Sequence, residues 1–383
     1  MTKLRLAGSA FGAGLTLAAL ALSSLVFAAR ASAQDIPVAV AGPMTGGEAT
    51  FGRQMRNGAE QAVADLNAAG GVLSKKLRLE VGDDACDPKQ ARSVAEKLAG
   101  MQVAFVAGHY CSSSSIPASD AYADGNVLQI TPASTNPTFT DRGLWNTFRI
   151  CGRDDQQGAF VAGYIAKNFK GKNIAIVNDK TTYGKGLADE TKAALNRLGV
   201  QEKLYEAYNK GDKDFTALVS RLKRNAIDLV FVGGYHQEAG LILRQMRAQG
   251  LKTVLMAGDA MADKEFASIT GPDAEGVLFT FGPDPRKRPT AAAVVKKFQA
   301  RGIDPEGYTI YTYAAFQIWS QAAAKAGTTD PHKVAAVMKA GTWDTVLGQR
   351  AFDKKGDMTA LGWAVYRWDK SGNYTEISSG DGT

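Results

Sequence analysis

Histidine and cysteine are scarce in this chain, three of each in 383 residues. The histidines (His109, His236, His332) and the cysteines (Cys86, Cys111, Cys151) are scattered. They make no close-spaced ligand set, so no metal site is expected. No Gly-x-Gly-x-x-Gly follows the first strand-like run and no Walker loop occurs, which removes the common dinucleotide and nucleotide cradles. Gly-x-Ser-x-Gly is missing too, so the serine run 112–115 has no hydrolase elbow. His109 stands near Ser112 in sequence, yet nothing specifies an orienting partner, and a histidine at a strand end is more often structural. No cofactor and no catalytic residue are implied. Long single-sign charge runs are absent as well. The formal charge is +7, with Lys and Arg spread among acids, so a nucleic-acid partner is not suggested.

Long apolar runs are missing after the first 33 residues. Lys3 and Arg5 precede an acid-free, apolar or small stretch from Leu6 to Ala29, and Ala31-Ser32-Ala33 follows before Gln34. This reads as a secretory signal over 1–33, cleaved near Ala33–Gln34. A retained membrane anchor is the competing reading, because the stretch is rather long. Cleavage removes Lys3, Arg5 and Arg30 and takes the formal charge from +7 to +4. Export to an oxidising compartment permits a disulfide. Cys86 and Cys111 each follow a probable strand, and neighbouring strands would bring them together.

What the chain does have is a long alternation of strand and helix patterns, punctuated by an ample 41 glycines. Short apolar runs at 36–41, 77–81, 101–107 and 127–130 read as strands, with amphipathic helices between the first three. A second series follows from Asp154, with strands at 173–177, 227–232, 253–257 and 277–281. The segments 141–153 and 282–289 read as crossings. Helices are expected at 290–301, 309–325 and 331–340, short strands at 348–350, 352–358 and 362–368, and a mobile tail from Ser378. Such β–α runs predict mainly parallel sheets, and the length predicts two α/β lobes.

Phe51, Ser112, Thr135, Tyr183, Tyr235 and Asp259 all fall just after strand ends. Open α/β sheets bind ligands at that edge, and two lobes facing there make a cleft. The run from Met101 to Asp124 is the clearest case. Its strand turns into a serine-rich helix N-terminus, with Pro117 placed in the first turn. Free amides and the positive dipole end make an anion site, although plain helix capping reads equally well. An ammonium would need acceptors. Asp259 is the best placed, with the Thr135 hydroxyl and the Ala133 carbonyl in support; alternatively, Asp259 caps a turn. Phe51, Tyr183, Tyr235 and Tyr308 could wall an apolar side-chain pocket, though each alone is more often a core aromatic. Both charges of a free amino acid would then be paired on desolvation.

Four runs carry a close resemblance: Gly-Ala-Glu-Gln-Ala-Val-Ala-Asp-Leu-Asn (58–67), Asp-Asp-Ala-Cys-Asp-Pro-Lys-Gln (83–90), Gly-His-Tyr-Cys-Ser-Ser-Ser (108–114) and Gly-Gly-Tyr-His-Gln-Glu (233–238). From Ile36 to about Thr375 the chain resembles the periplasmic leucine/isoleucine/valine-binding proteins of bacterial ABC importers. The resemblance implies an α/β bilobed periplasmic-binding-protein fold of type I, two mainly parallel sheets flanked by helices and joined by three hinge crossings. Those crossings fall near 149–153, 281–283 and 361–362. Lobe 1 is then 34–153 plus 283–361, and lobe 2 is 154–282 plus 362–383. The resemblance further implies a periplasmic, monomeric, non-enzymatic receptor that binds a small L-amino acid with high affinity and hands it to an inner-membrane ABC permease. Carried over by motif, Ser112 holds the ligand carboxylate and Thr135 contributes. The Ala133 carbonyl, the Thr135 hydroxyl and Asp259 take the ammonium, and Tyr183 closes from the second lobe. A Cys86–Cys111 disulfide matches as well, while Cys151 lies outside the family pattern. This chain departs from the pattern at Asp259, where the best-known members have glutamate, and at Phe51, where tyrosine or tryptophan is frequent. Two alternatives stay open: a ligand-sensing receptor module of the same fold, and an import receptor for short amides, urea or aromatic acids.

Overall fold

The computed structural model describes residues 1–4, 35–359 and 361–380. The apolar stretch of the expected signal and its Ala31–Ala33 site lie outside the described residues. Among the described residues, no helix is long and apolar enough to cross a membrane. The unit Ile36–Thr383 carries two lobes, each built on its own sheet.

The first sheet has strands β1 (Ile36–Gly42), β2 (Leu77–Asp83), β3 (Phe105–Gly108), β4 (Leu128–Thr131) and β5 (Thr147–Arg149). They lie in the order β2-β1-β3-β4-β5, all parallel. The second sheet has β6 (Ile174–Asn178), β7 (Leu204–Ala207), β8 (Leu229–Gly233), β9 (Val254–Ala257) and β10 (Leu278–Phe281). Two further pairs follow: β11 (Thr342–Thr345) with β12 (Gly348–Ala351), and β13 (Trp363–Trp368) with β14 (Tyr374–Gly380). The seven-stranded order is β14-β13-β10-β9-β8-β6-β7; the β10–β13 and β13–β14 pairs are antiparallel and the other pairs parallel. Inner strands such as β3, β4, β6 and β8 are buried at every residue. Helices cover both faces, which is why these strands read as continuous apolar runs.

Each order reverses once, between β1 and β3 in the first sheet and between β6 and β8 in the second. Helices leave such a point toward opposite faces and open a crevice at the strand C-termini. The loops after β1, β3 and β4 and those after β6, β8 and β9 therefore form the two walls of one cleft.

Several expectations change. Residues 141–153 contain β5, an edge strand of three residues too short to show a period. β7 was not expected, because its partly exposed Leu-Tyr-Glu-Ala carries little apolar signal. Residues 352–358 form a turn closed by an isolated Phe352–Met358 bridge, not a strand. Of the tail expected from Ser378, residues 378–380 are the end of β14, paired with β13, and the rest lies outside the described residues. Pro117 sits inside the helix Ser112–Asp124 instead of in its first turn, and Cys111, not a serine, holds the cap position. Cys86 and Cys111 do form a disulfide, with Cα atoms 5.6 Å apart. The strands before them are not neighbours: β1 lies between β2 and β3, so the bridge closes over the end of β1. Cys151 is free and buried, and burial pushes its thiol up.

Candidate functional site

The anionic pole of the cleft is built first. Ser112 opens its helix at the end of β3, almost fully buried, and its Oγ accepts from the Asn136 amide at 3.3 Å. The Ser114 and Ser115 amides donate to the Cys111 carbonyl, each at 2.9 Å, which leaves the Ser112 and Ser113 amides as the helix's free first-turn donors. The loop after β4 is tied to the same turn. Ser134 Oγ pairs with Ser115 Oγ at 2.6 Å and donates to the Tyr110 carbonyl at 2.9 Å, and Thr131 Oγ1 donates to the His109 carbonyl at 2.7 Å. His109 is structural: its Nδ1 lies 2.5 Å from Asp84 and its Nε2 3.0 Å from Tyr122 Oη.

Arg149, fully buried, fixes that second loop from below. It donates to the carbonyls of Ser134 at 2.7 Å and Asn136 at 3.0 Å, and its charge is met by Asp357 at 2.8 Å. Thr135, between those two carbonyls, is thereby pinned. Its own carbonyl accepts from the Asp154 amide at 2.9 Å.

Two buried acids make the opposite pole. Asp259 follows β9, and its carboxylate accepts from Tyr183 Oη at 2.8 Å and from Tyr308 Oη. Burial pushes its carboxyl up, and the two phenol bonds partly offset this. Asp154 is fully buried, and both its carboxylate oxygens and Thr135 Oγ1 lack a hydrogen-bond partner among the described residues. Burial pushes the Asp154 carboxyl well up; the Thr135 hydroxyl nearby offsets part of that, although it stands outside hydrogen-bonding geometry. Buried polar atoms are almost always satisfied, so this group marks a place for a donor.

Between the poles lies a space of about 180 Å³ lined by Tyr110, Ser112, Ala133, Tyr183, Tyr235, Asp259, Ala260 and Tyr308. Tyr183 and Tyr235 stand with ring centroids 5.2 Å apart. Phe51 is one layer back: it stacks on Tyr110 at 4.6 Å and meets Tyr308 edge-on at 6.0 Å. A second space of about 280 Å³ shares Asp259 and Tyr308 and is walled also by Cys151, Gly152, Gly282 and Trp363.

The lobes touch around this cleft. Lys210 from the second lobe reaches Glu48 at 2.8 Å and lies 4.5 Å over the Tyr235 ring. Thr50 Oγ1 and Gln54 Nε2 donate to Asp263, each at 2.7 Å. Asn136 Nδ2 donates to the Thr182 carbonyl at 2.9 Å.

Of the expected residues, Ser112, Ala133, Tyr183, Tyr235, Asp259 and Tyr308 share one space, Thr135 stands beside Asp154, and Phe51 backs Tyr110. The sequence reading passed over Asp154, Tyr110 and Lys210. Asp154 looked like an ordinary helix-start acid, and its unpaired burial depends on the crossing that precedes it. Tyr110 lies inside the 108–114 run, where its position two residues before Ser112 was an available signal. Among the described residues, no group of three or more His, Cys, Asp or Glu could hold a metal.

Comparison with known proteins shows the family. The periplasmic binding protein family matches residues 35–373. A Leu/Ile/Val-binding protein homolog of Brucella melitensis is 49% identical over 360 residues, covering 93% of this chain and 97% of that protein. A second such homolog, from Brucella abortus, is 51% identical over 350 residues, covering 91% and 94%. The crystal structure of a leucine-binding protein from Thermotoga maritima superposes with a TM-score of 0.84 at 28% identity, covering 90% of this chain and 99% of that one. The match spans both lobes and the cleft between them, and the chain belongs to the periplasmic Leu/Ile/Val-binding protein family, the non-catalytic substrate-binding components of ABC importers.

Proposed function

We propose that this protein captures a free L-α-amino acid with an uncharged side chain, Leu, Ile or Val foremost, and delivers it to an ABC permease from the periplasm. The observation that carries the reading is the opposition of two poles across one small space. Ser112 at its helix start and Asp259 line the same space, and the unpartnered Asp154 carboxylate and Thr135 hydroxyl are buried close by. A zwitterion satisfies both when water is expelled. Ser112 takes the carboxylate. The ammonium lies among the Ala133 carbonyl, the Thr135 hydroxyl and Asp259, with Asp154 as a further acceptor. The side chain lies against Tyr110, Tyr183, Tyr235 and Tyr308, with Phe51 behind. An aliphatic side chain gains roughly 1.5–3 kcal/mol from such burial.

Motion follows from the same layout. Residues 34–153 with 283–361, and 154–282 with 362–383, act as two bodies hinged at the three crossings, and ligand favours the closed form because it touches both only there. The mature protein is a monomer starting near Gln34. Isothermal titration of ligand-stripped protein against the common amino acids, short amides, urea and aromatic acids tests the reading. Leu, Ile or Val should bind tightly. Tight binding of a compound without an α-ammonium, with those three inert, overturns it in favour of the amide or aromatic-acid alternative.

A further inference from the structure

We infer that Arg288 and Arg350 form a binding site for a small oxyanion, a phosphate or a carboxylate, between the segment 282–289 and β12. The site is separate from the amino-acid cleft and does not depend on the function proposed above. Arg288 stands just before Pro289, and Arg350 lies on β12. A Cβ added to Gly348 would stand 3.9 Å from Arg288 Nη1 and 4.0 Å from Arg350 Nη1, so both guanidinium groups reach the same place. Arg350 is half-buried. Its Nη1 donates to the Gln349 carbonyl at 2.8 Å, and its Nε is buried with no hydrogen-bond partner among the described residues.

What this pair lacks is a counter-charge. Neighbouring Arg286 meets Asp284 at 2.9 Å and Asp304 at 3.0 Å, whereas neither Arg288 nor Arg350 forms an ion pair among the described residues. Burial and the charge of Arg288 push the Arg350 guanidinium down, and Tyr311 offsets only part of this. Tyr311 cannot supply the missing charge. Burial pushes its hydroxyl up to about 12 against the pull of both arginines, so it is neutral at ordinary pH. Two like charges held together, one with an unmet N–H, are unfavourable until an anion joins them. The flat guanidinium fork pairs best with carboxylate and phosphate oxygens. Thr290 Oγ1 already ties this part of the chain to the Val346 carbonyl at 2.8 Å. An anion between the arginines turns the repulsion beside that bond into a second tie.

Titration calorimetry of the purified protein with inorganic phosphate, and separately with acetate, tests this at an ionic strength fixed by chloride. At least one of the two should bind at a single site. Phosphate binding with acetate inert marks a phosphate site, and the reverse marks a carboxylate site. Arg288→Gln and Arg350→Gln should each weaken that binding about tenfold or more. In chloride alone, Arg288→Gln should unfold at a midpoint no lower than the wild type, because it relieves the repulsion. The binding anion should then raise the wild-type midpoint and leave that of Arg288→Gln unmoved. Absence of binding by both anions overturns the inference. So does binding that both variants retain, which places the anion elsewhere, such as the start of the Ser112 helix. If Arg350→Gln does not fold, Arg288→Gln decides alone.

Discussion

The Tyr308 hydroxyl donates to Asp259 and in doing so joins the two lobes. Tyr308 precedes the helix Thr309–Ala326, which packs on the helix Ala49–Ala68 of the first lobe, and Asp259 follows β9 of the second. Tyr183 holds the other carboxylate oxygen from the second lobe itself. Aspartate is one methylene shorter than the glutamate of the best-known relatives, and the two phenols fix where it stops. Tyr183 therefore holds Asp259 within its own lobe, and Tyr308 adds the second bond when the lobes meet.

Asp259→Asn keeps this shape and removes the charge. Hydrogen bonds to charged groups contribute about 1.5–3 kcal/mol, so affinity for every accepted amino acid should fall roughly 10- to 150-fold. Titration calorimetry reads this directly. Unchanged affinity across the whole ligand set would remove Asp259 from the ammonium pole and leave Asp154 as its acid.

Much of the fold was legible because buried parallel strands announce themselves. Val-Ala-Val in β1 and Leu-Val-Phe-Val in β8 are apolar on both faces, and glycines close the turns after them. β5 and β7 were not legible, since a short edge strand takes its identity from the strand it pairs with, and β14 was not because its Tyr-Thr-Glu-Ile-Ser-Ser-Gly carries little apolar signal. The site divides in the same way. Ser112 and Asp259 lie where strand ends place them. Asp154 gains its meaning only from burial beside Thr135, and Lys210 only from reaching Glu48 in the other lobe.

Arg149 and Asp357 form a buried pair beneath the loop that carries Thr135. Removing one partner of such a pair leaves a buried charge and costs about 3–5 kcal/mol. Asp357→Ala should lose most of that amount in urea unfolding; Arg153, also on Asp357 at 2.6 Å, keeps Asp141 and Asp155. A midpoint within experimental error of the wild type would show that the surrounding carbonyls suffice for Arg149.

Glu306 offers a pH test away from the cleft floor. Burial, with Asp263 and Asp304 nearby, pushes its carboxyl up to about 7. The fold therefore favours its protonated form. That contribution is complete below the ordinary value of about 4.3 and is lost as pH rises to and through about 7. Glu306→Gln retains a neutral side chain that can accept from the Lys264 amide and donate to Tyr374 Oη. Its stability at pH 8 relative to pH 4.5 should exceed the wild-type value by about 1–3 kcal/mol. Parallel pH profiles for the two proteins, measured by chemical unfolding, would contradict the assignment.

Lys210 and Glu48 give the last prediction. Glu48 is 2% exposed and its partner comes from the opposite lobe, so the pair exists only when the lobes meet. Opening lets water reach Glu48; closing without Lys210 buries it unpaired. Lys210→Met should therefore weaken every ligand by a similar factor, on the order of 5- to 30-fold, because it acts on closure and not on ligand contacts. The Glu48→Gln, Lys210→Met double variant should recover most of the loss, since no buried charge then remains. Scattering at saturating ligand should show Lys210→Met reaching the same compact form as the wild type, only at higher ligand concentration. A selective loss for one amino acid, with the others unaffected, would instead make Lys210 a wall of the side-chain pocket through its seat on Tyr235.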